Sequence, residues 1–459
     1  MKRHIPFLAT LFFAAGSLAQ TAPAGRTPPR SQPITLQQAV EIALRKNPAV
    51  QAADAYARAV EQGIAAAKTF RYPRLDFSEG FTRGNNPVYV FGTLLTQGQF
   101  TARNFDLNFL NNPPPLDNFR TAFTATLPLY DAGQTSRMVK DARLRFQSAE
   151  RAKDRTQQEI LFQVVNAYLN DRLANETVRV ARSAVETTKS DLERAKARVE
   201  SGLAVQSDLL SAQVQLAQAE EDLLRAENAA EVARAALNVA MGLPEDAPTE
   251  IAGDLGERQF EAGMLEERQS KALATRPDLV QARLAREQAV NGLHAARAEF
   301  LPKLNLMGTW ELDNQTFAAR GGNNWIAGAT LNFNLFDGGA KLARLRESKA
   351  RDLEAAARER QMEAAVRLQV REAYLNLATA EKRLGVVKDA SAQAEESLRI
   401  TQNRFEAGLA TITDLLRAEN ARTAAERSAL NARFDYRLSY AALELATGEL
   451  STSSPVLNQ

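Results

Sequence analysis

Residues 304–312 read LNLMGTWEL, and the alternation in those letters decides the fold. Leu304, Leu306, Gly308, Trp310 and Leu312 fall on one side, and Asn305, Met307, Thr309 and Glu311 on the other. A period of two is that of a strand with one apolar face. The pattern returns at Ala327, Ala329, Leu331, Phe333 and Leu335, and at Phe119, Thr121, Phe123, Ala125, Leu127 and Leu129, with a weaker partner marked by Leu75, Phe77 and Phe81. Stretches of about ten residues with one apolar face fit membrane-spanning β-strands, which need about 9 to 11 residues each. Four strands cannot close a barrel, and an open sheet edge cannot face lipid because its backbone groups go unpaired. Closure therefore calls for several copies of the chain, and three copies supply twelve strands. The competing reading of the same stretches is a soluble hairpin domain capping a coiled coil.

The strands sit inside a duplication. KNPAV at 46 and TRPDL at 275 lie 229 apart, as do Tyr72-Pro73 and Leu301-Pro302. LYDAG at 129 and LFDGG at 335, and AYLN at 167 and at 373, lie 206 apart. So do RVESGLAVQSDLLSAQ (198–213) and RFEAGLATITDLLRAE (404–419). The change of offset places an insertion in the first copy, within residues 84–118, which carries Tyr89, Phe91, Phe100, Phe105 and Phe109. Too aromatic for a plain disordered loop, it is expected as an extended loop at the outer surface, one able to fold over the mouth. Each copy runs helix, strand, strand, very long helix, tip turn, helix. The first repeat covers 34–241, with strands near 73–83 and 119–130 and its turn at 201–207. The second covers 264–449, with strands near 302–313 and 325–336 and its turn at 407–413. A linker, 242–263, joins them, and 450–459 forms a tail. The long runs carry heptad seams from Ala167 to Val199 and, in the same phase, from Ala373 to Phe405, with small residues at every other seam position.

Composition removes most chemistry. A formal net charge of +2 with 24% charged residues offers no field for nucleic acid. With no cysteine and two histidines, His4 and His294, disulfides, thiol nucleophiles and Cys/His zinc sites are excluded. No phosphate-binding loop, Ser/His/Asp set or metal-ligand cluster appears, so the expectation is no enzyme and no cofactor. Residues 1–19, with Lys2 and Arg3 before an apolar run and small residues at Ser17 and Ala19, read as a secretory signal peptide, followed by a Pro-rich leader, 20–33. Beyond it no apolar run of 18 residues appears, so no helix is expected to span a bilayer.

The duplicated order of elements, Tyr72-Pro73 and Leu301-Pro302 entering the strands, LYDAG and LFDGG leaving them, AYLN in both long helices and the GLA turns together resemble the TolC-type outer-membrane efflux family over about residues 34–449. The resemblance implies an α+β membrane protein: a homotrimer sharing a twelve-stranded transmembrane β-barrel, continued by a periplasmic α-helical barrel of coiled-coil helices. It implies an outer-membrane channel of a tripartite efflux pump or type I secretion system. Such a duct works with a periplasmic adaptor and an inner-membrane pump of the resistance-nodulation-division, ABC or another class. Outer-membrane lipid is its other partner. A different class of function, an exported coiled-coil scaffold or adhesin without a pore, stays open on the sequence.

By position, the resemblance makes Gly202, Leu203 and Ala204 with Gly408, Leu409 and Ala410 the adaptor-facing tip turns. Asp208 and Asp414 become candidates for a periplasmic gate, as rings of carboxylates. Each equally suits the first turn of a helix, where an acid complements the dipole, and Thr411-x-x-Asp414 resembles a capping box. Arg417 lies one turn after Asp414 and is expected to pair with it. Arg198, Glu200, Arg404 and Glu406 are candidates for links that hold the tip closed, against the plainer reading of a solvated face.

Overall fold

The computed structural model describes residues 33–457 apart from 254, 255, 257, 258, 318 and 320. The signal peptide and nearly all of the leader lie outside the described residues. The chain runs α1 (Leu36–Lys46), α2 (Pro48–Thr69), β1 (Arg74–Gly84), α3 (Pro87–Thr96), α4 (Leu107–Asn111), β2 (Leu116–Tyr130), α5 (Gln134–Glu200) and α6 (Gln206–Ala240). After the linker come α7 (Leu265–Thr275), α8 (Pro277–Ala298), β3 (Lys303–Asn314), β4 (Gly322–Asn332), α9 (Ala340–Glu406) and α10 (Ile412–Thr447). The elements of the two halves correspond in order and length: α5 and α9 have 67 residues each, α2 and α8 have 22.

The strands form one antiparallel sheet in the order β1-β2-β3-β4. Its register aligns Phe77, Phe123, Trp310 and Trp325 in a row across all four strands, on the face that also carries Leu75, Leu306 and Leu331. Cross-strand aromatic neighbours of this kind stabilise sheets; Phe77 and Phe123 have ring centres 5.3 Å apart, and Phe123 and Trp310 5.7 Å. The opposite face is polar. There Arg120 pairs with Glu311, and the hydroxyls of Thr124 and Thr309 are 3.2 Å apart. No described helix is long and apolar enough to cross a membrane, which says nothing of the sheet.

Two runs expected as single helices are each broken in two. Pro48 and Pro277 stand at the first position of α2 and α8, and a residue before proline is pushed out of the helical region. Asn47 (φ −64°, ψ 125°) and Arg276 (φ −60°, ψ 124°) are accordingly extended. Both bends lean on the end of another helix: Asn47 Nδ2 donates to the Ala240 carbonyl at 2.9 Å, and Arg276 Nη1 to the Ala446 carbonyl at 3.1 Å. Gly242 and Gly448, both at positive φ, pass so close that a Cβ on Gly242 would lie 2.7 Å from the backbone of Lys46 and Asn47.

This belt contains the main core, with Leu36, Val164, Tyr168, Val366 and Leu443 almost fully buried. The linker wraps it. Ile251 bridges Ile34, the Tyr168 hydroxyl donates to the carbonyls of Ile34 and Ala252 at 3.0 and 2.6 Å, and Phe260 stacks on Tyr440 at 4.2 Å.

On the tip side of the belt α5 lies between α6 and α10; on the strand side it lies between α2 and α8, with α9 beyond. The seams explain the close approach. Ala212, Ala219, Ala226 and Ala233, spaced seven apart, are buried on α6, and Ala181, Val185, Thr188 and Ala195 on α5. Insertion 84–118 is more ordered than an extended loop: it contains α3, α4 and a 3-10 turn at Ala102–Phe105. Asn86 and Asp106 supply the side-chain caps that start the two helices.

Candidate functional site

Both long helices end in the same closed turn. In the first, the N–H of Gly202 reaches the Val199 carbonyl at 3.0 Å and that of Leu203 the Arg198 carbonyl at 2.8 Å. In the second, Gly408 reaches Phe405 at 3.0 Å and Leu409 reaches Arg404 at 2.7 Å. This is the Schellman pattern, which needs a left-handed residue one place past the cap, and Gly202 (φ 73°) and Gly408 (φ 75°) supply it. The residue after the glycine commonly packs on an apolar side chain one turn back. Here that position holds Arg198 and Arg404, and the leucines stay in the open, 73% exposed at Leu203 and 70% at Leu409. Ala204 and Ala410 are half-buried beneath them.

Of the four link candidates, one bridges the two hairpins. Arg198, on α5, donates from Nη1 to the Phe405 carbonyl at 2.9 Å, and its guanidinium carbon lies 4.6 Å from the centre of the Phe405 ring. Phe405 is the anchor of a small tip core with Ile412, Leu415 and Leu416. Glu200, Arg404 and Glu406 are exposed and make no ion pair among the described residues.

The two turns differ in how the following helix starts. Thr411 and Asp414 form a full capping box: the Thr411 N–H and hydroxyl donate to Asp414 Oδ2 at 3.1 and 2.7 Å, and the Asp414 N–H donates to the Thr411 hydroxyl oxygen at 3.2 Å. Those bonds from Thr411, then the charges of Arg417 and Arg404, hold the Asp414 carboxyl below its ordinary range. The expected pairing of Asp414 with Arg417 does not form, because the carboxylate is already taken up by Thr411. In the first copy Val205 provides no side-chain cap and Asp208 is half-buried in the first turn of α6.

Sequence reasoning missed a pair of carboxyls one step behind the turns. Asp191 on α5 is buried with Arg194 Nη1 3.3 Å away, and it faces Glu419 on α10. Burial first, and then the Asp191 carboxyl beside it, raise the Glu419 pKa to about 9. Neighbouring links tie α10 to α6 as well: Gln215 and Asn420 exchange side-chain hydrogen bonds at 2.9 and 3.3 Å, and Arg427 meets Asp222 at 3.1 Å. The only signal for these contacts was their offset. Gln215 and Asn420 are 205 apart, one short of the repeat distance.

A family model described as outer membrane efflux protein matches residues 39–243 and 269–449. No curated protein matches. Among solved structures the chain is similar to a membrane protein from Pseudomonas aeruginosa, at 19% identity over 92% of each chain with a TM-score of 0.78. It is similar to the Campylobacter jejuni CmeC outer membrane channel, at 17% identity over 92% of this chain and 87% of that one, TM-score 0.78. It is also similar to the outer membrane protein VceC of Vibrio cholerae, at 21% identity over 90% and 96%, TM-score 0.75. At these identities the likeness is one of fold.

Proposed function

The chain belongs to the outer membrane efflux protein family, a family of transport channels rather than enzymes, and from that premise we propose that it is a passive trans-periplasmic exit duct. Three copies share a twelve-stranded barrel in the outer membrane and a helical barrel in the periplasm. An inner-membrane pump, joined through a periplasmic adaptor, delivers the cargo of an efflux or secretion pathway.

The observation that supports this most is that sheet and helices leave matching open edges. β1 and β4 are the unpaired edges of the sheet. α2 leads into β1 and, with α6, forms one border of the helical layer; α9 follows β4 and forms the other. Both helical borders expose large apolar side chains, Leu210, Val214 and Leu224 on α6 and Leu353, Leu375 and Val386 on α9. Joining the first edge of one copy to the second edge of the next pairs the strands and covers both stripes together. The aromatic row then faces lipid and the polar face lines the bore.

In this reading the exposed Leu203 and Leu409 turns meet the adaptor, and the Arg198–Phe405 bridge holds the two hairpins of each copy together at the tip. Membrane fractionation followed by single-channel recording in a planar bilayer tests the duct. A protein recovered in the soluble fraction, or in membranes but never conducting, would favour the pore-less scaffold instead.

A further inference from the structure

The loop between β3 and β4 is short, residues 315–321, whereas β1 and β2 are joined by 85–115, which holds α3. This helix, PVYVFGTLLT, has no charged residue. Val90 and Leu94 are buried against the sheet, while Val88, Phe91 and Leu95 on its other side are exposed, Val88 by 81%. A helix apolar all round is normally covered on every side, so this one lacks a partner.

Hydrogen bonds fix which face of the sheet it lies on. Gln97 Nε2 donates to Asn118 Oδ1 and to the Asp117 carbonyl, both at 2.9 Å; Asn118 Nδ2 donates to Asp313 Oδ1 at 2.7 Å. Asn324 Nδ2 donates to the Thr96 carbonyl at 3.1 Å, and a Cβ on Gly322 would fall 1.5 Å from that same oxygen. Asn118, Asp313 and Asn324 all belong to the polar face, opposite Phe123 and Trp310. They stand at the strand ends farthest from the long helices.

We infer that the α3 helices of three copies meet on the axis and close the outer mouth of the duct; the inference rests on the trimeric barrel proposed above. Twelve strands about 4.8 Å apart and tilted about 40° hold their backbones about 12 Å from the barrel axis. A helix with its side chains is about 10 Å across. Lying on the inner wall, it reaches the axis, so the partner of its open face is the same helix from the other copies. Lipid is excluded, being on the far side of the sheet. Phe100 covers part of that open side, its ring meeting those of Phe91 and Phe105 edge to face at 4.9 and 5.1 Å, which leaves Val88 and Leu95 for the other copies. A ring of Val88 and Leu95 is a constriction of the kind that closes by shedding water.

The absence of cysteine makes the test clean. In full-length protein, Val88→Cys can be crosslinked only to another copy, and Thr309→Cys places a thiol on the polar face deeper in the barrel. On intact cells, a bulky membrane-impermeant maleimide should leave Thr309→Cys unlabelled and label it at least tenfold more after Val88→Glu and Leu95→Glu are added. A short bis-maleimide should link Val88→Cys into dimers. Both substituted positions of α3 are exposed, so folding is not at stake, and native mass spectrometry reports the assembly state of every variant. Trimers in which Thr309→Cys labels freely without the glutamates, and Val88→Cys does not crosslink, overturn the closure and leave the duct standing. A chain that forms no trimer at all overturns the duct, and the closure with it.

Discussion

Arg198 spends its guanidinium twice on one residue of the other hairpin, lying 4.6 Å from the ring of Phe405 and donating to the carbonyl of that same residue at 2.9 Å. Cation–π contacts of this sort are worth about 0.5–2 kcal/mol and a hydrogen bond to a charged donor about 1.5–3 kcal/mol, less where water competes. Arg198→Ala should therefore loosen the tip and raise the single-channel conductance several-fold. Arg198→Lys keeps the charge but not the planar fork, and should fall between. A conductance equal to the parent's in both variants would remove this bridge from the closed state.

The capping box gives Asp414 a task that needs hydrogen-bond acceptors rather than charge. Asp414→Asn should leave ion selectivity close to the parent's, and Asp414→Ala should speed amide hydrogen exchange in the first turn of α10. A large loss of cation preference in the asparagine variant would instead support a carboxylate ring at the tip.

The Glu419 pair makes the tip sensitive to alkali. Because the folded protein raises this pKa to about 9, the stabilisation it brings is complete below the ordinary glutamate range, near pH 4.5, and is lost as pH rises through the folded value. With the base-catalysed intrinsic rate divided out, the protection of α10 amides around residue 419 should fall between about pH 4.5 and pH 9 in the parent. Glu419→Gln, which keeps a neutral donor beside Asp191, should abolish that fall in protection. An equal fall in protection in both proteins would show that the pair does not carry the effect.

Glycines at positive φ should differ in cost according to what stands near them. At Gly202 nothing lies within 4 Å of an added Cβ, so alanine meets only backbone strain of about 1–2 kcal/mol. At Gly242 the added carbon also strikes backbone at 2.7 Å. Thermal unfolding should show Gly242→Ala markedly less stable than Gly202→Ala, with Gly448→Ala between, since its nearest contact is 3.1 Å.

Much of this architecture was readable from periodicity. LNLMGTWEL becomes β3, with Leu306 and Trp310 on the aromatic face, and the two GLA stretches become the two Schellman turns. Small seam residues such as Ala181 and Ala195 are buried as their spacing requires. What was missed depends on contacts that no local pattern encodes. Arg198 and Phe405 are 207 residues apart, and neither has a neighbourhood that names the other. α3 is apolar on both sides, so its sequence cannot say which side the sheet takes. The Asp191–Glu419 pair arises only when α5 and α10 lie side by side. Pro48 and Pro277 were visible breakers, yet the apolar pattern on both sides of them reads as continuous because the stacked helices share one buried face.

The interlocked bends at Asn47 and Arg276 give the molecule leverage. From Gly242 and Gly448 to the turns, α6 and α10 extend 35 and 36 residues, about 50 Å of rigid arm. A rotation of about 5° at the belt swings such an arm's end by about 4 Å. Both arms are pinned to the belt at these two bends, so a slight twist at the waist is magnified at both turns together.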